Sequence, residues 1–237
     1  MKSVYKIPQK IKCLTDERKR KSIPLFNIVM PVLLFLMLQY ESFHTIFSAP
    51  ESMSKRLKNC ISGRIPKVDA VRDLLSRINP DEIRSIHEEM IDIIKRNRVF
   101  REGTIGGYVV AGLDGVELFS STKKSCPNCL SRKKHTGETE YFYRSVVCMI
   151  IGKSPHVILG QEMLKPRDGS GKDEGELTGG KRLIEQLKKR HGHFADVIVA
   201  DALYLNAPFI NTLKENGLEG VIRLKDERRM IFQDAER

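Results

Sequence analysis

The sequence predicts a mixed α/β protein, with an all-helical N-terminal domain followed by a mixed β-sheet covered by helices. Three observations lead there. From residue 23 to 97, apolar residues recur at i, i+3 and i+4. Past Gly107 the pattern changes to short β-branched runs bounded by turn residues. Later runs alternate with helical segments, which calls for one sheet with helices on its faces.

Size and composition set the outer limits. The 237 residues are enough for one large domain or two small ones. A hydrophobic fraction of 41% with 30% charged residues is ordinary for a globular protein, and excludes a mainly disordered chain or a multi-span membrane protein. The net charge of +11 points to a polyanionic partner, nucleic acid ahead of an anionic membrane surface. The cysteines Cys13, Cys60, Cys126, Cys129 and Cys148 are odd in number and thinly spread. That argues against a disulfide-stapled secreted domain and for a reducing cytoplasm.

Along the chain, residues 1–22 carry Lys2, Lys6, Lys10, Lys12, Arg18, Lys19, Arg20 and Lys21 against Asp16 and Glu17. This segment reads as a flexible basic arm, either solvated or contacting phosphates. The apolar run Ile28–Leu38 is 11 residues long, with Pro31 inside it. That is well short of the ~20 residues that span a bilayer, so a buried helix is expected and no membrane partner. Ser52–Gly63 reads as a short basic helix closed by its glycine. Val68, Val71, Leu74, Leu75 and Ile78 share one helical face. Asn79-Pro80-Asp81-Glu82 supplies a cap, an N1 proline and an acidic first turn for a helix aligning Ile83, Ile86, Met90, Ile91 and Ile94. The two helices around that turn are spaced like a helix-turn-helix pair, a DNA-reading arrangement that helical bundles also contain. Residues 23–97 thus form a candidate DNA-binding domain, and Gly103-Thr-Ile-Gly-Gly107 reads as a linker.

Residues 98–237 are the sheet-bearing part. Tyr108–Leu113 suits a strand buried on both faces. Asp114-Gly115 is a tight-turn dipeptide, and Val116–Ser120 returns as the second strand of a hairpin. Tyr141–Ile151 is a third strand and Pro155–Gly160 a short fourth. Lys165–Gly175 is polar loop, and Leu183, Ile184 and Leu187 suit a helix ending near Gly192. Asp196–Ala200 is a strand with Asp201 at its C-terminal end, Asn206 caps a further helix, and Gly220–Lys225 is the last strand. Three antiparallel strands followed by αβ units is the order expected of an RNase H-like sheet.

In that order Asp114 and Asp201 each follow a buried strand and converge at one rim. Two close carboxylates cannot both ionise without a counter-charge. A divalent cation supplies it, and oxygen-only ligands favour Mg²⁺ or Mn²⁺. Such ions activate a nucleophile and stabilise the leaving oxygen in phosphodiester cleavage. Taken singly, Asp114 is a turn residue and Asp201 a helix cap.

Ala111-Gly-Leu-Asp114-Gly-Val-Glu-Leu-Phe-Ser-Ser121 with Cys126-Pro-Asn-Cys129-Leu-Ser-Arg132 resembles the first catalytic segment of DDE-type insertion-sequence transposases. Val197–Tyr204 through Val221–Lys225 resembles the second. The nearest group is the insertion-sequence-four (IS-four) superfamily, over roughly 95–237. The resemblance implies transposition: Mg²⁺-dependent nicking at transposon-end DNA, strand transfer into target DNA, and a homodimer in a synaptic complex. It makes Asp114 and Asp201 the catalytic, metal-binding first two acids of a triad. The third should be a Glu in a Tyr-Arg-Glu-Lys-type motif on a helix after the last strand. The residues after Lys225 hold no such motif, and neither Glu227 nor Glu236 has matching surroundings. The expectation is therefore the front part of a transposase, incomplete at its C-terminus and with little cleavage activity. The alternatives are a DNA-binding remnant without catalysis, another RNase H-like nuclease, and a membrane-associated basic protein.

Cys126-x-x-Cys129 reads as half a zinc site completed by His135 and one of Cys148, His191 or His193, as a redox pair, or as a turn with two free thiols. Lys123, Lys124, Arg132, Lys133 and Lys134 flank it as a basic loop close in sequence to Asp114 and suited to nucleic-acid phosphates. Arg223 and Lys225 are weaker nucleic-acid-binding candidates.

Overall fold

A computed structural model describes residues 4–39, 55, 59, 61, 65–102, 104–152, 154–167 and 173–225. The helix expected over Ser52–Gly63 lies largely outside them, as do Glu227 and Glu236. The chain divides into two compact units, Met1–Met90 and Ile91–Arg237. The division falls inside a helix, not at the glycine-rich stretch after it.

In the first unit the described residues form α1 (Ile7–Lys12), α2 (Phe26–Met37), α3 (Val68–Leu75) and most of α4 (Pro80–Arg96). The expected flexible arm is instead built into this unit. Ile7, Ile11 and Leu14 stand one helical turn apart and bury with Leu25, Ile28, Val32, Val71 and Leu74. Arg18, only 4% exposed, donates to Asp16 at 2.7 Å and to the Ile23 carbonyl at 2.7 Å. Lys10 pairs with Glu89, and Lys12 sits 5.3 Å over the Phe26 ring. Three apolar residues were enough to anchor a segment whose charge dominates its appearance. The Ile28–Leu38 run lies almost entirely in α2, whose Ile28, Val32 and Phe35 are buried. Among the described residues no helix is long and apolar enough to cross a membrane.

α4 starts as its sequence requires, with Asn79 Oδ1 accepting from the Asp81 amide at 2.9 Å. Its apolar stripe does not bury evenly. Ile83 is 41% exposed, and Ile86 and Met90 pack against the helical core. Ile91 and Ile94 belong to the core of the second unit.

The second unit continues with α5 (Val99–Glu102) and then β1 (Val110–Ser121), β2 (Leu130–Lys133), β3 (Thr139–Ile150), β4 (Val157–Met163), α6 (Glu176–His191), β5 (Val197–Ala200), a 3₁₀ turn (Ala202–Tyr204), α7 (Ala207–Glu215) and β6 (Glu219–Ile222). The result is a mixed α/β unit around one mixed sheet. Its order is β2-β3-β1-β5-β6, with β4 also on β3. β3 pairs antiparallel with β1, β2 and β4, whereas β5 pairs parallel with β1 and β6. Alternation along β3 buries Phe142, Val146, Cys148 and Ile150. Leu183, Ile184 and Leu187 of α6 close over that face. The helix can approach because Gly180 offers no side chain: a Cβ there would lie 2.9 Å from the Tyr204 ring. α6 ends at Gly192, whose φ of 65° suits a residue without a Cβ.

Two local expectations fail in β1 and β2. There is no hairpin at Asp114-Gly115; the two expected strands are one continuous strand. A two-residue type I′ turn needs positive φ at both central residues, and Gly115 is not among the glycines with positive φ. The antiparallel ladder with β3, from Ala111↔Ile150 to Ser121↔Tyr141, carries β1 straight through the dipeptide. The basic loop after Cys129 is in part β2, because Leu130 buries and pairs with Phe142.

α7 begins where its sequence puts it, with the Asn206 side chain accepting from the Phe209 amide at 2.9 Å. Asn206→Ala should lower unfolding free energy by about 1 kcal/mol. In urea this should appear as a lower midpoint with an unchanged slope.

Candidate functional site

The last register pair between β1 and β5 is Leu113↔Ala200. Asp114 and Asp201 are the next residue on each strand, so parallel pairing sets them side by side at one rim. Their paths then part. Asp114 stays in β1, its Oδ1 accepting from the Gly115 amide at 2.8 Å. Asp201 leaves β5 and caps the 3₁₀ turn, its Oδ1 accepting from the Leu203 amide at 2.9 Å. Both residues are exposed. Each therefore also plays its local structural part, as an Asx-type acceptor and a cap.

A third carboxylate faces this rim that sequence reasoning passes over. Glu176 is the first residue of α6 and its side chain is 9% exposed. An ideal Cβ on Gly115 would meet Glu176 Oε2 at 2.2 Å, so the carboxylate occupies the space that glycine leaves beside Asp114. Arg144 on β3 pairs with Glu176 Oε1 at 2.6 Å. Burial raises the Glu176 carboxyl above its ordinary range; Arg144 opposes that, and Asp114 and Asp201 add to it. Beneath them Tyr204 is fully buried. Its hydroxyl proton is held more tightly than usual, first by burial and then by Glu176, Asp114 and Asp201. That hydroxyl neighbours Glu176 without a well-formed hydrogen bond among the described residues. The signal for Glu176 was weak: an acid in a first helical turn, after a polar stretch, is ordinary helix chemistry.

The donor set is oxygen-only and carries excess negative charge, which suits a hard divalent cation. Among the described residues no three such side chains gather at metal-ligand spacing. Mg²⁺ is commonly held by one or two carboxylates, with waters and substrate phosphates completing its shell. Asp114 and Asp201 fit that lesser requirement, while Glu176 is turned to Arg144.

The basic candidates scatter. Lys123 and Lys124 follow the far end of β1, their amides donating to Ser121 Oγ at 3.1 and 3.0 Å. Because β1 does not turn back, they stand roughly 20 Å along the strand from Asp114 and not beside it. Arg132 is committed to Glu117 at 2.9 Å and Glu140 at 2.7 Å, and lies 4.5 Å over the Phe142 ring. Lys134 pairs with Glu140 at 3.0 Å, and Lys133 is exposed at the end of β2. Arg223 is the one nearest the rim. Its amide donates to the Ala200 carbonyl at 3.1 Å, one residue before Asp201, and its side chain is exposed, as is that of Lys225.

His135 does not join Cys126 and Cys129 in a zinc site. It lies in the turn after β2, and the extended strand separates it from Cys129, which precedes that strand. Cys148 is fully buried in the core, its thiol pushed up to about 12 by desolvation.

Comparison with protein-family models, with curated proteins and with solved structures finds no match to this chain.

Proposed function

We propose that the second unit is an RNase H-like catalytic domain of a DDE-type insertion-sequence transposase of the IS-four superfamily, acting on DNA with Mg²⁺ or Mn²⁺. One observation carries this reading: the parallel β1–β5 pairing, whose last register pair Leu113↔Ala200 sets Asp114, within β1, beside Asp201 where β5 ends. The strand order supports it, since antiparallel β1, β3 and β4 are followed by parallel β5 and β6. Asp114 and Asp201 would hold the cation, which supplies Lewis-acid activation of the attacking water or 3′-hydroxyl. Glu176 adds negative charge behind them and is the candidate third acid within the described residues. Arg223 offers its guanidinium to a phosphate crossing the rim. Transposon ends and target DNA are the proposed partners, with a homodimer to bring two ends together in the cytoplasm. The first unit, with its α3–α4 pair, is the proposed end-binding part.

A second reading, DNA binding without cleavage, is favoured by the pairing of Glu176 with Arg144, which among the described residues leaves Asp114 and Asp201 as the rim acids not held in an ion pair. Nicking of supercoiled plasmid by the full chain separates the two. The catalytic reading expects open circles that form slowly, as two rim carboxylates with Glu176 turned to Arg144 would allow, only with Mn²⁺ and not with a chelator. Salt-sensitive plasmid retention with no Mn²⁺-dependent nicking at high protein concentration would sink it and support the second.

A further inference from the structure

We propose that Cys126 and Cys129 form a reversible dithiol–disulfide site on the turn between β1 and β2. The two Sγ atoms lie 3.0 Å apart. Pro127 and Asn128 turn the chain, and the Cys129 amide donates to the Cys126 carbonyl at 3.1 Å. A β-turn keeps its end Cα atoms within roughly 7 Å, and a disulfide needs about 4.4–6.8 Å, so the bridge closes without moving either strand.

The two sulfurs have unequal roles. Cys126 is exposed, whereas Cys129 is 9% exposed. Tyr143 Oη, across on β3, lies 2.5 Å from Cys126 Sγ. Hydrogen bonds from Tyr143 first, then from Cys129, hold the Cys126 thiol below its ordinary range. Cys126 is thus the attacking thiolate and Cys129 the resolving thiol. Tyr143 is a positioning residue, keeping a donor on Cys126 until the bond forms.

The reaction balances with a small oxidised disulfide such as glutathione disulfide. Cys126 thiolate attacks one of its sulfurs, forming a mixed disulfide and expelling one thiolate. Cys129 then loses its proton to solvent and attacks Cys126 Sγ, and the second small thiol leaves. Two electrons pass from the protein pair to the reagent, and the protein loses two hydrogen atoms. A thiol in excess reverses both steps.

The experiment incubates the full chain, lacking only Cys13 and Cys60, with glutathione buffers of graded ratio. Intact mass and peptide mapping read the products. The proposal expects loss of two hydrogen masses on the peptide joining 126 to 129, restored by excess reduced glutathione. Cys129→Ser should accumulate a glutathione adduct on Cys126, and Cys126→Ser should leave Cys129 unreacted. Tyr143→Phe should slow the first step near neutral pH, a deficit that closes in alkaline buffer. A persistent glutathione adduct on Cys126 with Cys129 intact would overturn the proposal. So would stoichiometric zinc protecting both thiols from alkylation.

Discussion

Asp114→Asn and Asp201→Asn are each expected to cut Mn²⁺-dependent nicking by roughly 100-fold or more, since losing even a group that only supports a metal ligand costs roughly 10–100-fold. Asparagine keeps the shape and the Oδ1 acceptor. The Gly115 amide therefore retains its partner in one variant and the Leu203 amide in the other. What each variant loses is one negative charge at an exposed position on the rim. A cation held by two carboxylates then has one, and its attraction to the site falls with the charge count. Thermal midpoints of both variants without metal should stay at or above that of the parent, because repulsion around Glu176 is relieved. Plasmid retention at low salt should persist, because the basic side chains are untouched. Nicking that survives either substitution would place the chemistry elsewhere.

How much of this was readable beforehand depended on whether the signal was local. Asp201 after the strand ending at Ala200, and Asn206 as a helix cap, were legible because strand end and cap are written within a few residues. The Asp114-Gly115 dipeptide misled for the same reason. Its turn chemistry is local, but a ladder extending from Ala111 to Ser121 outweighs it, and that ladder pairs with residues some thirty positions later. Pairing of this kind has no signature in either strand alone. The position of Asp114 at the rim survived the error, since β5 stops at Ala200 whether or not β1 continues. Closeness in sequence did not make Lys123 and Lys124 neighbours of Asp114, because the continuous β1 carries them to its far end. Glu176 was the costliest omission. Only the space above Gly115, created when α6 lies across the sheet, marks it as different from any other first-turn acid. The N-terminal segment shows the reverse bias: Ile7, Ile11 and Leu14 had helical spacing, yet the surrounding lysines drew the reading toward an exposed arm.

Glu176→Gln should make the metal-free chain more stable in mildly alkaline buffer and change it little in acid. The carboxyl is raised above its unfolded value chiefly by burial, with Asp114 and Asp201 adding to the shift. A raised carboxyl contributes stability that is fully present below the unfolded value, near 4.5, and is lost as pH rises through the folded one. Well above the unfolded value the fold therefore disfavours ionisation of a carboxyl that glutamine lacks, and toward acid pH the difference between the two chains shrinks. Against this stands the ion pair with Arg144, whose side chain is 37% exposed and keeps contact with water when the partner is removed. Desolvation outranks that pair among the causes of the shift, so the sign favours glutamine. A divalent cation at the rim should act in the same direction on the parent, raising its thermal midpoint at about pH 8 while moving the variant less. Melting curves of both chains in mildly alkaline and in acid buffer, with and without Mg²⁺, give the comparison. If glutamine instead lowers the midpoint at alkaline pH and Mg²⁺ has no effect on the parent, the Arg144 pair is what Glu176 is for. The rim would then carry two acids, and the DNA-binding reading would gain what the catalytic one loses.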